Sequence, residues 1–333
     1  MLASVPHPGT APKTRRSRRW SSVIRTCFSV IVLVAGLPLK SDAGGSVIAV
    51  LTTWELPAPV YRTVAVVSSG HVFVLGGHDS AGGTITAVYG LDPHTGKSAV
   101  AGSLALETHG SAAALVGRRI LVFGGASLVV HDTVQAFNPT NGKSTVIGHL
   151  PVPLADTTAA TVGGETVLIG GFNGAGPQTD VWGTSNGTSF RVVAQLPQAV
   201  RYPAVAALGA DVYVFGGLVT GGEYNGLFTA DIQRVDLSTG RAGVVGHLPA
   251  PLAHGMAAEM GGHLYLMGGS TASGTSSTIL LFDPANGSLS SVGKLPEPVT
   301  DAAVATVGLA TYVLGGISTT GPLESVTLVQ LKP

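Results

Sequence analysis

Short apolar runs recur along this chain, and each of them ends in a pair of glycines. The runs read VFVLGG, ILVFGG, TVLIGG, VYVFGG, LYLMGG and TYVLGG, and the first glycines fall at positions 76, 124, 170, 216, 268 and 315. An apolar run of this length that stops at turn residues predicts a buried β-strand. Successive pairs are 46 to 52 residues apart, so the chain is predicted to consist of six similar β units.

Two further markers keep fixed distances from these glycines. A leucine lies 20 residues before every pair, and a tight turn such as DPHTG or DLSTG begins 12 residues before each later leucine. Fixed spacings indicate rigid hairpins in which the turn glycine adopts a positive φ. Each unit is therefore predicted to hold four strands: a after the leucine, b into the glycine pair, c before the turn and d before the next leucine. The leucines are Leu56, Leu104, Leu150, Leu196, Leu248 and Leu295.

This arrangement predicts an all-β fold, a six-bladed β-propeller with four antiparallel strands per blade. The sixth unit lacks a strand d, because the chain stops soon after the segment SVTLVQL. A segment of suitable length precedes Leu56 at the other end of the chain. We therefore expect Ser46–Trp54 to pair with Ser325–Leu331 and to close the ring, which removes free sheet edges. Residues 44–333 are predicted to form this one domain.

Residues 1–43 differ in composition from the rest of the chain. They hold seven of the 18 basic residues against one acid, and the apolar stretch CFSVIVLVAGLPL precedes the small residues Ser41 and Ala43. This order is typical of a secretory signal peptide, here cleaved after Ala43. The alternative is an uncleaved membrane anchor with its arginines inside. Under either interpretation we expect the propeller outside the cytoplasm, with membrane contact only through this segment if it stays uncleaved.

The composition of the remaining chain narrows the class of partner. After residue 43 there are 11 basic and 17 acidic residues, a formal net charge of −6. A protein without a basic surface displaces few phosphate counterions, so we expect no nucleic-acid partner. The mean hydropathy is +0.41, but no later apolar run approaches the about 20 residues of a membrane span. The only cysteine, Cys27, precedes the propeller, which therefore has no disulfide or thiol chemistry.

The units resemble the kelch repeat from about Gly44 to Pro333. The paired glycines after an apolar strand and the Leu-Pro loop carry this resemblance. Kelch repeats usually also have a Tyr and a Trp downstream of the glycines. Here only Trp54 fills the Trp position on strand d, and the other units have Gly or Ala there. The resemblance therefore implies a divergent kelch-like propeller of a bacterial, extracytoplasmic type.

Candidate binding residues lie on one face of the predicted propeller. In an antiparallel blade the b–c and d–a loops share a face, and only the b–c loops vary, from 14 to 20 residues between glycine pair and turn. Variable loops on a rigid scaffold commonly carry function. The b–c loops of blades 1, 3 and 4 offer the candidates His78, Asp79, Phe172, Asn173, Glu223, Tyr224 and Asn225.

The d–a loops contribute a second set of candidates at a fixed offset. Equivalent positions of a propeller surround its axis, so we expect these side chains at the mouth of the central channel, where they would form a binding site. The alternative is that the aspartates cap backbone N–H groups of their own loops. Six residues after each leucine stand Arg62, Gly110, Asp156, Tyr202, His254 and Asp301, and one residue earlier stand His109 and Arg201.

No catalytic motif accompanies these residues. The sequence has no serine-centred nucleophile elbow and no histidine pair at the spacing of a zinc helix, so we expect neither metal nor cofactor. The sequence as a whole predicts an extracytoplasmic binding module that recognises a glycan or a protein partner. The alternative is an enzyme similar to the bacterial sialic-acid mutarotases, which are also six-bladed kelch propellers. That resemblance implies that Arg62 and Arg201 meet the sugar carboxylate. A mutarotase needs only acid–base groups around the bound sugar, and the residues that could supply them are Arg62, His109, Asp156, His254 and Asp301.

Overall fold

The computed structural model describes residues 45–220 and 226–332, and every regular element in these ranges is a β-strand. The predicted N-terminal segment, residues 1–43, lies outside the described residues. In chain order the strands are β1 (Val47–Glu55), β2 (Val64–Ser68), β3 (His71–Leu75), β4 (Ala87–Leu91), β5 (Ser98–Ser103), β6 (Ala112–Val116), β7 (Arg119–Phe123), β8 (Thr133–Asn138), β9 (Lys143–His149), β10 (Thr158–Val162), β11 (Glu165–Ile169), β12 (Gln178–Thr184), β13 (Arg191–Val200), β14 (Ala204–Leu208), β15 (Asp211–Phe215), β16 (Leu218–Thr220), β17 (Leu227–Phe228), β18 (Asp231–Asp236), β19 (Arg241–His247), β20 (Met256–Met260), β21 (His263–Met267), β22 (Ser270–Thr271), β23 (Gly274–Thr275), β24 (Thr278–Asp283), β25 (Ser288–Lys294), β26 (Ala303–Val307), β27 (Ala310–Leu314), β28 (Ile317–Ser318), β29 (Gly321–Pro322) and β30 (Ser325–Leu331).

Six four-stranded antiparallel sheets form the blades of a propeller, as predicted. In order from the axis outward, blades 1 to 3 are β2-β3-β4-β5, β6-β7-β8-β9 and β10-β11-β12-β13. Blades 4 to 6 are β14-β15-β18-β19, β20-β21-β24-β25 and β26-β27-β30-β1. The first strands of successive blades contact each other in a closed ring, in which blade 6 returns to blade 1. The short ladders β16–β17, β22–β23 and β28–β29 lie within b–c loops.

The ring is closed by the N-terminal strand, which confirms the prediction. Strand β1 pairs antiparallel with β30, so that Val47 lies opposite Leu331 and Leu51 lies opposite Thr327. The side chain of Val47 is buried between blades 5 and 6. The two ends of the propeller therefore share one sheet, and the outer strand of the last blade comes from the start of the domain.

The glycine pairs occur where neighbouring blades meet. A Cβ on Gly76 would lie 2.4 Å from the carbonyl oxygen of Thr108 in the next blade, and the N–H of Gly77 donates to that same oxygen at 2.8 Å. The φ angles of +59° and +102° at these two residues lie in the region that glycine adopts without strain. The pairs in the other five blades make the same contact with their neighbours. Each pair therefore ends strand b and joins one blade to the next.

The core lies between blades, because both faces of each sheet are covered by its neighbours. Strand b is buried almost throughout, as in Val72–Leu75. Strand a contains many small residues, such as those of Ala204–Ala207, which suit the crowded region near the axis. The a–b and c–d hairpins leave the propeller on one side, the hairpin face. The b–c and d–a loops leave on the other, the loop face. Within the described ranges, no helix of the length and apolarity required to cross a membrane occurs.

Candidate functional site

A ring of backbone hydrogen bonds surrounds the axis at the loop face. The N–H of each d–a loop residue at the predicted offset donates to the carbonyl oxygen of the equivalent residue in the preceding blade, over 2.6 to 3.2 Å. The sixth bond, from Arg62 N–H to Asp301, completes the circle. The residues at the same offset from their leucines are therefore brought together at the channel mouth. We call Arg62, Gly110, Asp156, Tyr202, His254 and Asp301 the ring residues.

All six ring residues adopt the left-handed conformation, with φ between +51° and +58°. This conformation lets each N–H reach the preceding blade, but it costs about 1–2 kcal/mol for a residue with a Cβ. Glycine would avoid that cost, and only blade 2, with Gly110, uses glycine here. Five blades therefore keep a side chain at the channel mouth at the cost of a strained backbone conformation. Such strain is typical of functional sites.

Four side chains from three blades form an arginine cluster, which consists of Arg62, Asp156, Arg201 and Tyr202. Arg62 Nη2 donates to Asp156 Oδ1 at 2.6 Å and to the Tyr202 hydroxyl at 2.5 Å. Arg201 Nη2 donates to Asp156 Oδ2 at 2.5 Å and to the same hydroxyl at 2.7 Å. The Asp156 side chain is only 2% exposed, and those of the arginines are 9% and 12% exposed. Both arginines are thus held by one buried carboxylate.

Aromatic rings fix the plane of the Arg201 guanidinium. Its Cζ atom lies 4.4 Å from the centroid of Phe172 and 4.6 Å from that of Tyr202. A guanidinium over an aromatic face is attracted by the electrons of the ring. Phe172 follows the glycine pair of blade 3, where its backbone pairs with Ala155. The loop of blade 3 therefore orients an arginine of blade 4.

A histidine–carboxylate pair lies beside the arginine cluster. His254 Nδ1 and Asp301 Oδ1 are 2.7 Å apart, and the side chains are 4% and 13% exposed. The His254 ring also stacks on Tyr202, with centroids 4.0 Å apart. Because a carboxylate only accepts, the hydrogen bond places a proton on Nδ1 and leaves Nε2 of a neutral ring as the acceptor. This pair is an arrangement suited to proton transfer.

A second group of rings lies where blades 1 and 2 meet, and we call it the aromatic stack: Tyr61, His78 and His109. The centroid of His78 is 5.0 Å from that of Tyr61 and 3.9 Å from that of His109. His109 Nδ1 also forms a hydrogen bond with the hydroxyl of Thr84 at 3.0 Å. Burial, together with the charges of Arg62, His78 and His131, lowers the pKa of His109 to about 3. His109 is therefore neutral near pH 7 and a weak proton acceptor.

A cavity of about 600 Å³ follows the axis of the ring. Five charged or aromatic ring residues line one end, and Thr161, Glu259 and Thr306 line it toward the hairpin face. Between them the wall consists of small strand-a residues, such as Ala159 and Ala206. In the sheets that the structure describes, strand a is an edge strand, so the backbone N–H and C=O groups on its inner edge face the cavity. The cavity therefore offers polar groups along its length.

The structure brings together the residues predicted from the d–a loops and separates two predicted from the b–c loops. Asn173 does not join the cluster, because its Oδ1 accepts the N–H groups of Ala175 and Gly176 in its own loop. Asp79 likewise accepts from Ala81 and Gly83. Glu223 and Tyr224, and with them Asn225, lie outside the described residues.

Sequence reasoning missed Tyr61. It stands five residues after Leu56, the same offset as His109 and Arg201 from their leucines, and this offset was the signal that would have found it. The binding role of all these residues stays a prediction. Residues 45–220 and 226–332 contain no group of three potential metal ligands close enough to hold an ion.

Comparison with known proteins agrees with this fold. No protein-family model matches the sequence, and no curated protein matches it. Among solved structures, the chain is similar to YjhT, with a TM-score of 0.73 and 18% sequence identity over 84% of this chain and 97% of the other. At this identity the similarity shows the fold alone, because one fold serves many functions.

Proposed function

We propose that this protein is a kelch-like binding module that binds a small acidic carbohydrate at the loop-face mouth of its channel. The observation that carries this proposal is the conformation of the ring residues, of which five are left-handed without being glycine. Their backbone strain has no benefit for the ring itself, since Gly110 makes the same hydrogen bonds without it. The side chains are therefore the reason that these residues are present.

The charge of the arginine cluster favours an acidic ligand. Two guanidinium groups share the single carboxylate of Asp156, so the four side chains of the cluster carry a formal charge of +1, while the neighbouring Asp301 is paired with His254. A ligand carboxylate would balance this charge, and the planar fork of an arginine binds a carboxylate with two parallel hydrogen bonds. Arg201 is already oriented by Phe172 and Tyr202, so little side-chain entropy is lost on binding.

The cavity favours a carbohydrate over an apolar ligand. Its volume, about 600 Å³, lies within the range of small-molecule sites. Ligand hydroxyl groups would satisfy the polar edges of the innermost strands, whereas an aliphatic chain would leave these groups without hydrogen bonds. A sugar that carries a carboxylate matches both the cavity and the arginine cluster. The predicted signal segment supports a location outside the cytoplasm, where the protein would meet such glycans as a secreted or anchored module.

Calorimetric titration of the purified protein with sialic acid, glucuronic acid and galacturonic acid tests this proposal, with glucose and galactose as neutral counterparts. We expect the acids to bind and the neutral sugars to bind at least tenfold more weakly. Arg201→Gln should abolish the preference for acids. The matched control is Arg191→Gln, which removes an arginine from an exposed pair with Glu165 on the outside of blade 3 and should leave binding unchanged. Equal binding of acidic and neutral sugars, or none at all, would contradict the proposal and favour a protein partner on the loops.

A second candidate function is that of a sugar mutarotase, which the His254–Asp301 pair favours. Mutarotation requires a base that takes the proton of the anomeric hydroxyl and an acid that protonates the ring oxygen. Asp301 fixes the tautomer of His254, whose Nε2 can then accept the proton. Among the acid–base residues expected from the sequence, His109 is the least suited, because its low pKa makes it a weak base.

Nuclear magnetic resonance of freshly dissolved α-anomers measures this activity directly. We expect catalytic amounts of the protein to accelerate equilibration of the acid that binds, and His254→Gln to lower the rate at least tenfold while the Kd changes little. His263→Gln, at an exposed position on strand b of the same blade, serves as the control. If equilibration in the presence of the protein is no faster than the spontaneous rate, the protein is not a mutarotase and binding remains its proposed function.

A further inference from the structure

The aromatic stack is built on rigid backbone positions of the loop face. In every blade, the residue before the ring residue pairs through a two-way backbone bridge with the residue after the glycine pair. In blade 1 these residues are Tyr61 and His78, joined at 3.1 and 2.8 Å. His109 holds the same position in blade 2, where it pairs with Ala126. The three rings are thus fixed relative to one another before any ligand arrives.

The side chains at these bridge positions are distributed unevenly around the propeller. All aromatic and cationic members belong to blades 1 to 4, whereas blades 5 and 6 fill the same positions with Ala253, Ser270, Thr300 and Ile317. The backbone bridge forms equally well in both halves, so the fold does not require rings here. The aromatic and cationic bridge residues are Tyr61, His78, His109, Phe172 and Arg201.

The aromatic stack adjoins the arginine cluster. Tyr61 precedes Arg62 in the chain, and the charge of Arg62 is among the causes of the low pKa of His109. Tyr61 and His78 are partly exposed, and His109 is buried and held by Thr84. The His78 ring lies between the other two, with its centroid 5.0 Å from that of Tyr61 and 3.9 Å from that of His109. A partly exposed ring surface therefore lies next to the two arginines of the cluster.

We propose that Tyr61, backed by His78 and His109, forms a second subsite that stacks on the ring of a neighbouring sugar unit of the ligand. This inference rests on the proposed function and extends it, because it defines the ligand as an acidic glycan of at least two units. The acidic unit occupies the arginine cluster, and the next unit lies over blades 1 and 2. The apolar C–H face of a pyranose matches an aromatic surface, while its hydroxyl groups remain hydrated at the rim.

The test compares each acidic monosaccharide with a disaccharide that contains it, such as sialic acid with sialyllactose and glucuronic acid with a glucuronyl disaccharide. We expect wild-type protein to bind one of these larger sugars about tenfold more tightly than its monosaccharide. Tyr61→Ala should remove this gain and leave the Kd of the monosaccharide within twofold of wild type. Tyr61→Phe keeps the ring and should retain the gain, which separates stacking from loss of the hydroxyl.

The outcomes distinguish this inference from the proposed function. If the monosaccharides bind but no larger sugar gains affinity, the second subsite is refuted and the proposed function stands. Equal losses for both ligands in Tyr61→Ala also refute it, because they show a structural role for the ring. If Tyr61→Ala does not fold, His78→Gln replaces it, since that change removes a ring from a partly exposed loop position. If no acidic sugar binds, both proposals fail.

Discussion

Arg62 and Tyr202 are joined across the channel axis. They belong to blades 1 and 4, which lie opposite each other in a ring of six, and Arg62 Nη2 donates to the Tyr202 hydroxyl at 2.5 Å. The Tyr202 oxygen also accepts from Arg201. A ligand that binds at the loop-face mouth therefore meets a preformed polar network.

Replacement of Tyr202 by Phe should destabilise the propeller. The variant keeps the stack on His254 but removes the oxygen that accepts from two arginines, and hydrogen bonds to charged groups contribute about 1.5–3 kcal/mol each. We expect the free energy of unfolding in urea to fall by about 2 kcal/mol. Tyr312→Phe is the matched control, because that buried hydroxyl has only a 3.5 Å contact with the carbonyl of Pro93. Equal losses in the two variants would show that the Tyr202 hydroxyl contributes nothing specific.

Gly110→Ala should distort the arginine cluster. A Cβ at this position would lie 2.6 Å from Asp156 Oδ1, the atom that accepts from Arg62. Gly163→Ala is the control, because Gly163 has a similar φ of +59° and a Cβ added there would meet no heavy atom within 4 Å. We expect the control to lose about 1 kcal/mol from backbone strain alone, and Gly110→Ala to lose more and to bind acidic sugars more weakly. Similar stability and binding in both variants would contradict this.

His109 should make the propeller less stable in acid. Its pKa in the folded state is about 3, below that of an exposed histidine, so between about pH 6.5 and pH 3 the unfolded chain binds a proton that the folded chain does not. The free energy of unfolding should therefore decrease as the pH is lowered through this window, by up to about 1.4 kcal/mol per pH unit from this residue. In His109→Gln this component disappears. Urea titrations from pH 4 to 8 measure the difference in the free energy of unfolding between wild type and His109→Gln. This difference should be constant above pH 7 and change below it. A difference that stays constant over the whole range would be inconsistent with the low pKa.

Deletion of residues 47–55 should open the ring. Without β1, strand β30 presents an unpaired edge, and exposed edges promote association. We expect oligomers in size-exclusion chromatography and a broader, lower melting transition. Leu51→Lys, at an exposed position of β1, should leave both unchanged. A monomeric deletion variant with an unaltered melting midpoint would show that β1 is dispensable for closure.

The fold was predictable because each blade repeats the same local chemistry. Glycine pairs, leucines and turns at regular spacings indicated the number of blades and strands, and the fragment before Leu56 matched the strand that the last blade lacked. The pairing of β1 with β30 confirmed that match. The spacing of the repeats and the residue types of the turns are properties of the sequence itself, so they can be recognised without the structure.

The residues that reach the channel mouth could likewise be identified from the chain alone, because a residue at a constant offset in every repeat occupies the same place in every blade. How those residues pair became evident only in the folded ring. Arg62 could not be matched with Asp156 and Tyr202 from the chain, since 94 and 140 residues separate them. Likewise, the left-handed ring and the stacking of His78 on His109 arise only when six blades converge on one axis. Side-chain partnership depends on distances across the ring, and the spacing along the chain does not contain them.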